Sequence, residues 1–199
     1  MVFSLLLASA SPVRRALLEN AGLSVEVEPA RIDEAALRDS LLAGGAKPRD
    51  IADALAEMKA LRVSRKKPDR LVLGCDQVLD LGGEILAKPE SIDEARAQLL
   101  SLRGRRHELL SAAVLCEGSA PVWRHVGRAG MTVRPFSEAW LDGYLSRNWP
   151  DIAGCVGAYK LESEGVRLFS RVEGDYFTVL GLPLLDLLAF LTLRGDLPQ

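Results

Sequence analysis

The spacing of hydrophobic and polar residues in the first third of the chain predicts alternating strands and helices. The run 2–8, apolar apart from Ser4, is typical of a buried strand. Ser11 suits the N-cap of a following helix, Pro12 suits its first position, and Gly22 suits its end. The further spacing predicts one more strand and two helices, at 24–29, 34–42 and 49–64.

In the rest of the chain, hairpins and turn signals dominate the pattern. Residues 69–74 predict a strand, and the Asp-Leu-Gly-Gly-Glu segment 80–84 predicts a hairpin turn. Ser91 and Glu94 form a capping-box pattern, which opens a helix that ends near Gly104. The other predicted elements are an antiparallel pair at 108–116 and 122–133, a helix at 138–146 capped by Ser137, strand-like pieces within 154–180, and a final helix from Pro183 to Leu193.

This order of elements predicts the α/β class. We expect an extended mixed β-sheet flanked by helices, arranged as two lobes of a single domain over residues 1–199. A chain of 199 residues is long enough to bury a core without disulfides or metals to hold it together.

Composition and charge exclude several classes of protein. The 48% hydrophobic content excludes a disordered chain, and 25 basic against 27 acidic residues argue against nucleic-acid binding through bulk charge. No run reaches the roughly 18 uncharged residues of a membrane span, and no signal peptide is predicted. Cys75, Cys116 and Cys155 lack metal-binding spacing, so we expect reduced thiols in a cytoplasmic protein.

Charged residues near the ends of predicted elements are candidates for ligand binding. Arg14 and Arg15 fall in the first turn of a helix, where cations oppose the helix dipole; they either bind an anion or lie on a solvated face. Asp76 follows an apolar run and is therefore expected at a strand end. There it is either a metal ligand or a base, or it is a turn-forming residue. With Lys59 and Lys88, these residues suggest a polyphosphate site that uses a hard cation.

Short motifs, taken together with their order and spacing, resemble the Maf family of nucleoside triphosphate pyrophosphatases over nearly the whole chain. The matching segments are LASASPVRR (7–15), IDE (32–34), KA (59–60), GCDQ (74–77), KP (88–89), Gly104 with His107, GAY (157–159), EGDY (173–176) and GLPL (181–184). The resemblance implies a Maf/ITPase-like fold with a cleft between two lobes. It also implies hydrolysis of the α–β phosphoanhydride, which releases a nucleoside monophosphate and pyrophosphate.

The same resemblance implies roles for individual residues. Asp76 corresponds to the proton acceptor, and Glu34 by position is the further ligand, beside Asp76, of a divalent cation such as Mg²⁺ or Mn²⁺. Phosphate contacts are implied for six hydroxyl-bearing or cationic residues: Ser9, Ser11, Arg14, Arg15, Lys59 and Lys88.

Three positions, Val13, Gln77 and Glu162, vary between family subgroups and follow the choice of substrate. A subgroup for dTTP and UTP has Arg, Thr and Gln there, whereas a subgroup for 7-methyl-GTP has Trp, Gln and Glu. The chain matches the second set at Gln77 and Glu162 and departs from it at Val13, which cannot stack on a cationic base. A carboxylate can accept hydrogen bonds from both adjacent donors of guanine, so we expect 7-methyl-GTP or another guanine nucleotide as the substrate. The alternative for Glu162 is an exposed strand carboxylate without a role in binding.

Other interpretations stay open beside this one. The chain is alternatively a dTTP/UTP pyrophosphatase, or a non-catalytic nucleotide sensor or septum-formation regulator. The basic segment 103–106 fits a helix C-terminus better than a nucleic-acid patch, and His107 fits a hydrogen bond at a strand start better than a metal ligand. We expect a nucleotide substrate, and neither a membrane nor a nucleic acid as partner. The family resemblance allows a homodimer, and the oligomeric state stays open.

Overall fold

The computed structural model describes residues 4–198, with seven strands and seven α-helices among them. The strands are β1 (Ser4–Leu7), β2 (Ser24–Val27), β3 (Val72–Leu81), β4 (Glu84–Leu86), β5 (Arg106–Glu117), β6 (Ala120–Val133) and β7 (Phe169–Glu173). The helices are α1 (Pro12–Asn20), α2 (Glu34–Ala43), α3 (Pro48–Ser64), α4 (Ile92–Leu102), α5 (Glu138–Asn148), α6 (Tyr176–Val179) and α7 (Leu184–Arg194), with a 3-10 helix at Glu164–Leu168. The predicted start of the first strand, at Val2 and Phe3, lies outside the described residues.

All seven strands belong to one mixed sheet. Six of them follow the order β2-β1-β3-β5-β6-β7, and β4 pairs with β3 beside that path. β1 is parallel to β2 and to β3, whereas every other pair is antiparallel. The predicted α/β class, with an extended mixed sheet flanked by helices, is therefore confirmed. Along residues 4–198, none of the helices combines the length and the apolar character needed to cross a bilayer.

Two apolar clusters occupy one face of this sheet and form two lobes. One cluster packs α1 and α7 against the Leu73 end of β3, and the other packs α4 and α5 against the Leu79 end. Between these ends, β3 and β5 carry the polar cross-strand neighbours Gln77 and Ser111. The apolar surface is interrupted there, so the two lobes meet at a polar boundary rather than in one continuous core.

Helix α3 covers the opposite face and approaches β3 very closely at Gly74. A Cβ atom on Gly74 would lie 2.2 Å from the carbonyl oxygen of Ala56 and 2.6 Å from the backbone nitrogen of Ala60. Glycine is therefore required at this crossing. The close approach brings Lys59, between these two α3 residues in sequence, down towards the strand.

Side-chain caps at their N-termini position the two helices nearest the candidate site. The Ser11 hydroxyl accepts a hydrogen bond from the backbone N–H of Arg14 at 3.3 Å, and Pro12 occupies the first position of α1. The Asp33 carboxylate likewise accepts from the N–H of Ala36 at 3.0 Å. Each cap satisfies a backbone donor that would otherwise lack a partner, which fixes where the helix begins. The predicted cap of α1 is thus confirmed.

The predicted end of the third strand at Gly74 is wrong, because β3 continues to Leu81. The main chain of Asp76 pairs with Ala112 of β5, and that of Gln77 pairs with Ser111. Consecutive side chains of a strand point to opposite faces, so two polar residues can leave the sheet without breaking its ladder. Asp76 therefore lies within a strand and not at its end.

The strand-like pieces predicted within 154–180 are also largely wrong. Apart from β7, this segment consists of turns, the 3-10 helix and the short helix α6. Gly157 and Gly174 adopt positive φ angles of 77° and 105°, which extended strands do not use. Glu162 consequently lies in a turn, and the interpretation of it as a strand carboxylate does not hold.

Candidate active site

A cleft opens where one edge of β3 lacks a neighbouring strand. The ladder with β1 ends at the pair Leu7 and Leu73, and the ladder with β4 begins at Leu79 and Leu86. Within the described part of the chain, residues 74–78 of β3 therefore pair with β5 on one side only. Their other edge faces the space between the two lobes.

The cleft has a volume of about 760 Å³, which is within the usual range for a small-molecule site. Ten of the eleven predicted site residues line it, although they come from six separate parts of the sequence. They are Ser9, Ser11, Val13, Arg14, Glu34, Lys59, Asp76, Gln77, Lys88 and Glu162. Folding thus brings together a set of residues whose proximity the sequence could only suggest.

Arg15 is the predicted site residue that does not line the cleft. Its guanidinium group lies on the exposed side of α1 and pairs with Glu19 at 2.8 Å, one helical turn later. The neighbouring Arg14 points the other way, because residues next to each other on a helix face different directions. Of the two arginines considered together in the sequence, only Arg14 reaches the cleft.

Arg14 is held in place by neutral oxygen atoms from three parts of the chain. Its Nε donates to the carbonyl oxygen of Gly181 at 2.8 Å, and its Nη1 donates to the Cys75 carbonyl at 3.1 Å and to the Ser9 hydroxyl at 3.3 Å. These partners fix the orientation of the guanidinium without neutralising its charge. Arg14 is therefore a preorganised cation at the open edge of β3.

Lys59 bridges the two carboxylates of the cleft. Its ammonium Nζ lies 2.6 Å from Oδ1 of Asp76 and 3.0 Å from Oε1 of Glu34. The Lys59 and Asp76 side chains are only 8% and 10% exposed, whereas Glu34 is 45% exposed. A buried carboxylate, a buried ammonium group and a more accessible carboxylate therefore meet on the wall formed by β3, α3 and α2.

Burial raises the pKa of the Asp76 carboxyl above its usual value. The positive charges of Lys59 and Arg14 oppose this shift, and the negative charge of Glu34 reinforces it. A carboxylate with a raised pKa is a better proton acceptor at neutral pH than an exposed aspartate. The environment of Asp76 therefore suits general-base chemistry.

Glu34 and Asp76 also fit a divalent cation that is bound together with a phosphorylated ligand. Among residues 4–198, no cluster of three or more His, Cys, Asp or Glu side chains forms a complete metal cage. Mg²⁺ is commonly held by one or two carboxylates plus substrate phosphates, so a pair of carboxylates in a cationic cleft is a suitable donor set.

The three candidate specificity residues lie in the cleft on different elements. Val13 belongs to α1, Gln77 to β3 and Glu162 to the turn before the 3-10 helix. The Gln77 amide Nε2 donates to the carbonyl oxygens of Val179 at 2.9 Å and Thr178 at 3.2 Å. These carbonyls can only accept, so they fix which branch of the amide carries the nitrogen and which carries the oxygen.

Comparison with known proteins assigns the family. A family model described as "Maf-like protein" matches residues 4–193. The chain belongs to the Maf family. It is 58% identical over 195 residues to a protein of Roseobacter denitrificans named "Nucleoside triphosphate pyrophosphatase", with 98% of each chain covered. It is also 54% identical over 191 residues to a Rhizobium meliloti protein and 50% identical over 195 residues to a Mesorhizobium japonicum protein, both named "7-methyl-GTP pyrophosphatase", with 96% and 98% of each chain covered.

This Maf chain also places residues in the cleft that sequence analysis missed. Arg38 and Lys160 add cations to the lining, and Asp151 pairs with Lys160 at 2.6 Å. Arg38 is four residues after Glu34 on α2, so helical spacing was a signal that placed both on one face. Lys160 and Asp151 lie in irregular loops, where sequence spacing carries no such signal.

The Maf motif residue His107 forms the hydrogen bond that the sequence suggested. Its Nε2 lies 2.7 Å from the hydroxyl oxygen of Tyr159, another motif residue, which lines the cleft. Burial lowers the pKa of His107 to about 4, so the imidazole is neutral at physiological pH. Tyr159 belongs to the apolar cluster of α4 and α5, so this hydrogen bond joins the cleft lining to that lobe.

Proposed function

We propose that the protein hydrolyses nucleoside triphosphates between the α- and β-phosphates, with release of a nucleoside monophosphate and pyrophosphate. The observation that carries this proposal is the buried Asp76, paired with Lys59 and joined through it to Glu34, in a nucleotide-sized cleft. The names of relatives that are 50–58% identical over almost their whole length support the same enzyme class.

In the proposed reaction, Asp76 is the proton acceptor. Its carboxylate takes a proton from water while the water oxygen attacks the α-phosphorus. The bond from that phosphorus to the bridging oxygen breaks, and pyrophosphate leaves with the bonding electron pair. Lys59 keeps Asp76 ionised and oriented before the attack, and the raised pKa of Asp76 makes it a stronger base.

The remaining task in this reaction is to position the phosphates and to offset their charge. Arg14 presents a fixed guanidinium, Lys88 adds an accessible ammonium group, and Ser9 and Ser11 offer hydroxyl or main-chain contacts at the start of α1. Mg²⁺ or Mn²⁺, held by the two carboxylates together with the phosphates, would supply charge neutralisation at the reacting phosphorus.

A panel of canonical and modified nucleoside triphosphates, incubated with Mg²⁺ or Mn²⁺, tests the activity by measuring pyrophosphate release. We expect Asp76→Asn to abolish hydrolysis while nucleotide binding, followed by calorimetry, is retained. Absence of turnover with every triphosphate would reject the enzyme assignment. Full activity of Asp76→Asn would reject the role of this residue as base.

For the substrate, we propose 7-methyl-GTP or another guanine nucleotide. Glu162 lines the cleft as an exposed carboxylate, and the Gln77 amide oxygen is a second acceptor. Two acceptors suit the adjacent N1–H and N2 amine donors of guanine, whereas the uracil edge would place a carbonyl against an anion. The names of two close relatives support the 7-methyl-GTP assignment.

A competition assay between GTP, 7-methyl-GTP, UTP and dTTP tests this assignment. We expect a guanine nucleotide to have the highest kcat/KM, and Glu162→Gln to lower that preference by about tenfold, which is the effect of one charge-assisted hydrogen bond. A preference for UTP or dTTP that Glu162→Gln leaves unchanged would favour the pyrimidine alternative.

A further inference from the structure

Arg38 lines the same cleft as Glu34 and Asp76, although no motif drew attention to it. It follows Glu34 by four residues on α2, so the two side chains leave the same face of the helix, about one turn apart. Its side chain is only 27% exposed. A partly buried guanidinium is costly unless an anion compensates it, so its charge partners are informative.

Within residues 4–198, the ion pair of Arg38 is a weak one with its neighbour Asp39. Nε lies 3.3 Å from Oδ1 of Asp39, whose side chain is 68% exposed to solvent. Exposed pairs of this kind contribute little to stability. Lys59 and Lys160 on the cleft walls have closer carboxylate partners, since Lys59 contacts two carboxylates and Lys160 lies 2.6 Å from Asp151. Arg38 therefore brings into the cleft a positive charge that the exposed Asp39 carboxylate offsets only weakly.

The faces of the sheet indicate which part of a nucleotide Arg38 would meet. Asp76 and Gln77 are consecutive in β3, so their side chains project to opposite faces. Asp76 faces α3, and α2 packs on that same side through Leu37. Gln77 faces α6, to which its amide is bonded. Arg38 thus lies on the same side of the sheet as Asp76, the candidate proton acceptor, and on the opposite side from Gln77, the candidate residue for nucleobase recognition.

We propose that Arg38 binds the β- and γ-phosphates of the substrate, the two that leave as pyrophosphate. This assignment rests on the proposed pyrophosphatase function. The nucleotide then crosses the open edge of β3, with its base on the Gln77 side, its α-phosphate near Arg14 and Asp76, and its terminal phosphates on the α2 side. A planar guanidinium matches the paired oxygens of pyrophosphate and offsets the charge that builds up on the leaving group.

Inorganic pyrophosphate and GMP, each titrated in the presence of Mg²⁺, separate this role from a structural one. We expect Arg38→Ala to weaken pyrophosphate binding by about tenfold to a hundredfold, the effect of losing a charge-assisted contact, and to leave GMP binding within about twofold. In steady-state kinetics, the same variant should raise KM for the triphosphate. Arg38→Lys should recover part of the pyrophosphate affinity.

Arg49→Ala is the matched control. Arg49 lies on α3, is 63% exposed and, like Arg38, pairs with the acidic residue that follows it in sequence, but it does not line the cleft. This variant should leave both titrations unchanged, and thermal unfolding should show that all variants are folded. Unchanged pyrophosphate affinity in Arg38→Ala, or an equal loss for pyrophosphate and GMP, would overturn the proposal. Failure of the pyrophosphatase assignment is a distinct result, because the wild-type protein itself would then release no pyrophosphate.

Discussion

Replacing Lys59 by methionine would remove the ammonium group 2.6 Å from the buried Asp76 carboxylate and leave a side chain of similar length. Removing one partner of a buried ion pair typically costs about 3–5 kcal/mol, because an uncompensated charge remains. Since the carboxyl group of Asp76 can escape this cost by taking up a proton, we expect the lower end, about 3 kcal/mol at pH 8.

The loss should depend on pH in one direction. In the wild-type protein, burial raises the pKa of Asp76 and Lys59 lowers it, so the Lys59→Met variant has a still higher folded-state pKa. Above that pKa, the folded variant must bury the Asp76 carboxylate without a compensating positive charge from Lys59. As the pH falls through that pKa, the Asp76 carboxylate of the folded variant takes up a proton, and the cost of burying its charge decreases. The difference in stability between variant and wild type should therefore shrink between pH 8 and pH 5.

Chemical denaturation of both proteins across this pH range measures the effect. Lys160→Met is the control, because Lys160 pairs with an Asp151 side chain that is 75% exposed, and its loss should cost less than about 1 kcal/mol. In an Asp76→Asn background, the Lys59→Met change should also cost much less than in the wild type. An identical loss at pH 5 and pH 8, or the same loss in both backgrounds, would refute the argument that an uncompensated Asp76 charge causes it.

Three further expectations follow from the same contacts. Gly74→Ala should destabilise the fold by about 1–3 kcal/mol in chemical denaturation and lower kcat, because its Cβ would push α3 and Lys59 away from β3. Gly181 has a φ of 95°, and a Cβ atom there would lie 3.2 Å from Nη2 of Arg14. Gly181→Ala should therefore displace the guanidinium and raise KM for the triphosphate about tenfold. An unchanged KM would show that Arg14 tolerates the added methyl group. kcat/KM should fall as the pH drops through the raised pKa of Asp76, since the base must be ionised; a flat acid limb would count against this role.

Most helices and strands could be predicted from the sequence because their signals are local. The Ser11 hydroxyl caps α1 from three residues before Arg14, and the turn at Gly82 and Gly83 joins β3 to β4 as the hairpin pattern indicated. The errors arose where local polarity was taken for the end of an element. β3 passes through Asp76 and Gln77 because β5, more than thirty residues later in sequence, pairs with their main chains.

In the candidate site, too, local sequence signals identified some features and long-range packing decided others. Motif order named residues that line the cleft, but it treated Arg14 and Arg15 as equivalent neighbours. The carbonyl groups of Gly181 and Cys75 orient Arg14 towards the open strand edge, whereas Arg15 pairs with Glu19 on the exposed side of its helix. Arg38 had no motif to mark it, and its lack of a strong partner is visible only when the surrounding carboxylates have positions in space.

From the sequence alone came the family resemblance, the α/β class, most element boundaries and most residues of the candidate site, because each depends on short-range spacing along the chain. Tertiary structure determined the burial of Asp76, its contact with Lys59 and the open edge of β3. These features depend on how distant segments pack together, since the desolvation and charge of a side chain are set by all the atoms around it and not by its neighbours in sequence.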